Sequence, residues 1–304
     1  FMTTALFSGQ GSQYQGMGKS LVEADSSLEK IYEAGSDILG WDLKRMCLEA
    51  PAEELGETVH SQPAIMATSI IALEAAKKKG FEFEAVAGHS LGEYAAMYAS
   101  DVLSLEDAFK IIKLRAEAMD KAAKSSDGSM AAILKIAPEK VEEVCAEIEG
   151  YVVPVNYNSP VQTVIAGEKE AVAKACEKFA ELKARAVPLA VASAFHSKIM
   201  QPAADEFASK VNELGITFNK PSVKFYSNVL GTELTDFSDM PSLLTKHIIS
   251  PVKFTSELAE MEKAGFTKFV EFGPGKVLTG LVKKTLKGVE AFNVESVETL
   301  EVAL

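Results

Sequence analysis

The chain has 304 residues, 47% hydrophobic and 24% charged, an ordinary balance for a globular protein able to bury a large core. Thirty-one basic against 43 acidic residues give a net charge of −12, which argues against nucleic acid as a partner. No apolar run approaches the roughly 20 residues of a membrane span; 64–76 comes nearest, and it is too short and carries Glu74.

Residues 3–8 read as an apolar first strand so soon after Met2 that no signal peptide is expected, with Phe1 a leftover of cloning. Cys47, Cys145 and Cys176 are scattered and odd in number, which fits reduced thiols in a cytoplasm. The four histidines lack metal-ligand spacing, so no metal is expected. The polar turn Gly9-Gln10-Gly11-Ser12-Gln13 follows the strand but lacks the phosphate-cradling pattern. Its other use is to bring the backbone N–H of Gln10 close to a reacting group. Helices are predicted over 21–35 and 41–47. Ser61-Gln62-Pro63 is read as opening a long buried helix over 64–79, with Pro63 near its first turn.

Residues 81–87 lead into Gly88-His89-Ser90-Leu91-Gly92, a G-x-S-x-G between a short buried strand and a helix. Such a turn lifts the Ser90 hydroxyl out at the strand end, where the Leu91 N–H and the helix dipole can hold an oxyanion. The bland reading is a serine that merely caps the helix. A helix over 104–123 follows. Arg115 lies beside its apolar face and reads from pattern alone as a rim arginine.

After the polar break at 124–128 the predicted order is strand 130–136, helix 138–149, strand 151–157, turn 158–160, strand 162–166, helix 168–182 and strand 184–191. This βαββαβ unit is the ferredoxin-like pattern, read as an insertion over 127–193. The expected fold is therefore α/β, with residues 1–126 and 194–304 forming the discontinuous larger domain. His196 follows an apolar strand and precedes a helix over 198–214, a place suited to a general base or simply to a packed histidine. A strand near 224–228, a polar loop over 231–240, a helix through His247, a helix over 254–264, a strand over 268–272, a helix over 276–286 and an edge strand over 289–294 complete the chain.

Ser90 needs a base, and His196 is the candidate. No carboxylate stands out at a strand end between them, so a dyad oriented by something other than a carboxylate is expected. His89 adjoins the nucleophile and is read as a support of the turn, and His60 carries no signal.

Gly88-His89-Ser90-Leu91-Gly92-Glu93-Tyr94 resembles the malonyl-CoA:acyl carrier protein transacylase family, which also supplies acyltransferase domains of fatty-acid and polyketide synthases. The likeness spans almost the whole chain, through the 9–18 loop, Gln62-Pro63-Ala64, Arg115, Asn158-Ser159-Pro160, Phe195-His196-Ser197, Ser250-Pro251-Val252 and Gly273-Pro274-Gly275-Lys276-Val277-Leu278 in order. The resemblance implies a hydrolase-like parallel-sheet domain with a ferredoxin-like insertion. It implies that Ser90 attacks malonyl-CoA with His196 as base, and that the N–H groups of Gln10 and Leu91 hold the oxyanion. It also implies that Arg115 clamps the free malonyl carboxylate, that Gln62, Phe195 and Asn158 contact substrate, and that the backbone carbonyl of residue 247 orients His196. Malonyl-CoA enters as substrate, no cofactor is needed, and acyl carrier protein is the expected partner of a monomer. Position 247 departs from the family, which usually has glutamine there, and Val161 stands where glycine is common. Lys276, Lys283, Lys284 and Lys287 are candidates for docking the acidic carrier protein, with a solvated helix face the plain alternative. The competing readings are a trans-acting acyltransferase or acyl hydrolase of a polyketide synthase, and a carrier-protein-binding scaffold without activity.

Overall fold

Two sheets organise this computed structural model, which describes residues 2–304; Phe1, read above as a cloning leftover, lies outside the described residues. The strands in chain order are β1 (Thr3–Phe7), β2 (Ala85–Gly88), β3 (Gly128–Leu134), β4 (Val152–Ser159), β5 (Gln162–Glu168), β6 (Arg185–Pro188), β7 (Lys224–Ser227), β8 (Thr232–Leu234), β9 (Lys268–Phe272) and β10 (Glu290–Val294).

The larger sheet runs β10-β9-β1-β2-β7-β8, parallel throughout except for the β7–β8 hairpin. All residues of β1 and β2 are buried, as expected of strands covered on both faces by helices. Phe7 pairs with Gly88 and with Phe272, and Ala87 pairs with Tyr226. The loops after β1, β2, β7 and β9 therefore open at one edge, the carboxyl edge where ligands bind in open α/β sheets.

The smaller sheet is antiparallel, in the order β4-β5-β3-β6. The helices Pro138–Glu147 and Lys169–Glu181 pack on it through a separate core that includes Ile133, Val141, Val144, Ile165 and Phe179. This is the ferredoxin-like βαββαβ arrangement. β4 also touches the larger unit, because Tyr157 N–H donates to Val252 O at 2.9 Å and Val252 N–H to Val155 O at 2.7 Å.

Several expectations need correction. The long buried helix spans Thr58–Lys78, so Gln62 and Pro63 lie inside it rather than at its start. Proline there forfeits one hydrogen bond to the carbonyl of Val59, but burial on nearly every side carries the helix through. Asn158 and Ser159 belong to β4, not to a turn; Ser159 pairs with Gln162, and the hairpin closes on Pro160-Val161. The helix predicted over 21–35 is split by Asp25, whose carboxylate caps a short 3-10 turn, into Lys19–Ala24 and Glu29–Leu39. The helix predicted over 198–214 keeps α geometry only over Gln201–Lys210. A final helix, Val297–Ala303, was not read; a capping box between Ser296 and Thr299 starts it.

Candidate active site

The turn after β2 is sharp enough to place Ser90 at φ 57°, in the left-handed region that few side-chain-bearing residues occupy. Two glycines make the turn possible by close approach. A Cβ on Gly88 would lie 2.1 Å from the Gly92 carbonyl carbon, and one on Gly92 would lie 2.2 Å from the Phe7 carbonyl oxygen. The helix Gly92–Ala99 starts immediately, with Leu91 at its N-cap. The Gly9 loop packs just as closely, since a Cβ there would sit 2.6 Å from the His89 carbonyl. Gln10 and Ser90 consequently line the same small cavity. Neither Gln10 N–H nor Leu91 N–H has a protein acceptor among the described residues.

His196, also left-handed at φ 62°, places Nε2 2.6 Å from Ser90 Oγ. Its Nδ1 lies 3.0 Å from the carbonyl of His247 and 3.1 Å from that of Ser250. Carbonyls only accept, so Nδ1 carries the proton and Nε2 presents a lone pair to the serine hydroxyl. Burial first, then the Arg115 charge, pushes the His196 imidazole down to about 3. It is therefore neutral, and able to take a proton, at neutral pH.

Arg115 is not at the rim. It is fully buried, held by Gln62 Oε1 at 2.9 Å from Nη1 and stacked over the Tyr94 ring at 5.5 Å. Its Nη2 reaches to 3.5 Å from Ser90 Oγ, and its Nε has no partner among the described residues. The carboxyl that most favours its charge is that of Glu93, yet burial raises Glu93 to about 8, so that group is largely protonated at neutral pH. The guanidinium faces the serine without a full counter-charge.

The cavity at Ser90 measures about 80 Å³ and is walled by Met119, Met130, Leu189, Val191 and Phe195. It shares Gln10, His89, Asn156 and Leu189 with an outer channel of about 220 Å³ lined by Asn158, Val277 and Leu281. Asn158 Oδ1 lies 2.7 Å from His89 Nε2, so His89 donates to it and is held beside the turn. A larger cavity, about 990 Å³, lies instead at the opposite edge of the sheet, around Glu84, Lys224 and Phe225.

Residues 4–302 match the acyl transferase domain family. The chain belongs to that family. It is 38% identical over 303 residues to the malonyl CoA-acyl carrier protein transacylase of Bacillus subtilis, covering 98% of this chain and 95% of that protein. A solved malonyl CoA-acyl carrier protein transacylase from Clostridium perfringens superposes with a TM-score of 0.94 at 37% identity, over 99% of this chain and 96% of that one. A malonyl-transacylase in complex with a type II PKS acyl-carrier protein superposes with a TM-score of 0.95 at 35% identity, over 100% and 99%.

Around the serine of this acyl transferase lie further residues to which the sequence assigned no role of their own, although Glu93 and Ser250 stand in the motifs quoted above. Asn228, directly after β7, accepts from Ser90 N–H at 2.9 Å, and Ser250 supplies the second carbonyl to His196. Glu93 and Glu257 are buried beneath the turn, both raised chiefly by burial. His247 Nε2 lies 3.6 Å from Glu93 Oε1, but burial holds this imidazole well below its ordinary value. The two therefore meet as neutral groups rather than as an ion pair.

Proposed function

We propose that this acyltransferase moves the malonyl group from malonyl-CoA to the phosphopantetheine thiol of an acyl carrier protein, in fatty-acid synthesis. The observation that carries the reading is Arg115, a buried guanidinium with unused donors 3.5 Å from the serine hydroxyl. An uncompensated buried cation costs several kcal/mol. A carboxylate borne on the acyl group would satisfy it with two parallel charge-assisted hydrogen bonds.

In this reading His196 Nε2 takes the Ser90 proton as Oγ attacks the thioester carbonyl. The oxyanion forms between the N–H groups of Gln10 and Leu91. The C–S bond breaks, the coenzyme A sulfur takes the proton from His196, and malonyl-Ser90 remains. The carrier thiol then gives its proton to His196 and attacks the ester, and Ser90 Oγ recovers the proton on leaving. One base serves both halves of a ping-pong cycle. Gln62 anchors Arg115, Phe195 limits the space beside the acyl α-carbon, and Asn158 borders the route taken by the pantetheine arm. The names of the relatives support the substrate pair. No cofactor is required. The reading takes the chain as a cytoplasmic monomer with free Cys47, Cys145 and Cys176, divided at 1–126 with 194–304 and at 127–193. A polyketide carrier protein is the second reading, favoured by the type II PKS acyl-carrier protein in the complex above.

Intact-mass measurement after brief exposure to malonyl-CoA, acetyl-CoA and methylmalonyl-CoA tests this. The expected result is a malonyl adduct much stronger than the other two and absent from Ser90→Ala. Added fatty-acid or polyketide carrier protein should then discharge it, and the faster of the two names the pathway. No adduct, or one indifferent to the carboxylate, overturns the reading.

A further inference from the structure

Asn228 is fully buried at the carboxyl end of β7, the strand beside the one that carries the nucleophile. Each of its side-chain hydrogen-bonding positions is used. Oδ1 lies 2.9 Å from Ser90 N and 3.0 Å from His247 Nε2. Nδ2 donates to Gly88 O at 2.7 Å and to Glu257 Oε2 at 2.9 Å. The backbone N–H of Asn228 donates to Glu93 Oε2 at 2.6 Å. A backbone N–H only donates and a carbonyl only accepts, so this amide has one possible orientation. It follows that His247 Nε2 carries a proton and donates it to Oδ1. His247 Nδ1 is then a bare lone pair, and it has no partner among the described residues.

We propose that Asn228 is a positioning residue for acyl transfer: its single oxygen holds the Ser90 backbone and the His247 ring together, and so sets the nucleophile against its base. The inference rests on the Ser90–His196 pair described above. The contacts close a ring. Ser90 N–H binds Asn228, Asn228 binds the His247 side chain, the His247 carbonyl binds His196 Nδ1, and His196 Nε2 binds Ser90 Oγ. Ser90 occupies a left-handed conformation, and the bond from its N–H to Asn228 holds the turn there. His247 thus has two jobs, a carbonyl that orients the base and an N–H that anchors that carbonyl. A glutamine side chain, with its own N–H donor, can do the second.

Phenylmethanesulfonyl fluoride, which sulfonylates an activated serine without needing malonyl-CoA, supplies the test on the full chain. Wild type should be labelled at Ser90. Asn228→Ala should be labelled between about tenfold and a hundredfold more slowly, with a matching loss of kcat and an unchanged KM for malonyl-CoA. His247→Leu, which lacks the donor, should show the same split, and His247→Gln should recover most of the lost rate. If Asn228→Ala does not fold, the His247 pair decides the matter. Labelling of folded Asn228→Ala at the wild-type rate, or equal rates for His247→Leu and His247→Gln, overturns the proposal. Wild type that is labelled at Ser90 yet takes no malonyl group overturns the proposed function while the positioning result stands. Wild type that is not labelled at Ser90 overturns both.

Discussion

Arg115 Nη2 and Ser90 Oγ stand 3.5 Å apart, with the guanidinium's Nε left without a partner among the described residues. A fold gains nothing from a buried cation in that state; its worth appears only when an anion arrives. Arg115→Met should therefore separate function from stability. We expect malonyl transfer to fall by about 100-fold or more, as for loss of one partner of a buried charged pair. The same variant should unfold at higher denaturant concentration than wild type, because a desolvated charge is replaced by an apolar chain of similar length. Denaturant titration beside steady-state kinetics checks both. A less stable Arg115→Met would mean that the bond to Gln62 outweighs the desolvation.

Stability should peak in mildly acid solution and fall on both sides. His196, His247 and His89 are all pushed below the ordinary 6.5, chiefly by burial. From 6.5 downward the unfolded chain binds protons that the folded one refuses, so these groups remove stability as pH falls, His196 doing so until about 3. Glu93, Glu271 and Glu257 are pushed above 4.5, to about 8, to about 7 and well above it. The folded chain keeps their protons longer, so they remove stability as pH rises from 4.5 through those values. The two sets oppose each other between 4.5 and 6.5 and act alone outside that window. Each proton contributes about 1.4 kcal/mol per pH unit where it acts alone. Urea midpoints measured from pH 3.5 to 9 check this, and a midpoint rising steadily to pH 9 would contradict it.

Gly92→Ala should abolish the serine's function through the backbone. The added carbon would meet the Phe7 carbonyl oxygen at 2.2 Å, and no rotamer of alanine relieves that contact. The helix must move off β1 or the turn must open, at an expected cost above about 3 kcal/mol. A thermal melt and sulfonyl fluoride labelling of Ser90 report the two outcomes.

Lys276, Lys283, Lys284 and Lys287 are exposed on or beside the helix Val277–Thr285, whose Val277, Leu278 and Leu281 line the outer channel. A carrier protein delivering its arm by that route would pass these cations. Reversing Lys283 and Lys284 to glutamate should raise the KM for carrier protein several-fold, more so at low salt, and leave acylation by malonyl-CoA unchanged. An unchanged KM would place docking elsewhere.

Much of this architecture was readable because its signals are local. The strand-turn-helix around Ser90 and the βαββαβ pattern each need only adjacent residues to be recognised. Arg115 misled because helical periodicity places it beside an apolar face, where an arginine ordinarily reaches solvent. Its burial depends on Tyr94 and Gln62, which other parts of the chain bring to it. Asn228 gave no signal at all. Its importance comes from β7 lying beside β2, a pairing between segments 138 residues apart that no local pattern announces. Pro63 pointed to a helix start because its own propensity favours one, and tertiary burial overrode that preference.

The acyl cavity is walled jointly: Gln10, Ser90 and His196 come from loops of the parallel sheet, and Met130 and Leu189 come from β3 and the segment after β6. Bond-making thus resides on one unit, while the chamber's walls are shared between Met119 and Phe195 on that unit and Met130 and Leu189 beside the smaller sheet. A lineage can reshape that second wall by drift beside the small sheet, with the hydrogen-bonded ring around the serine untouched. A chimera carrying a relative's residues 128–191 would exchange one wall of the chamber and keep Arg115, Met119, Phe195 and this protein's own turnover chemistry.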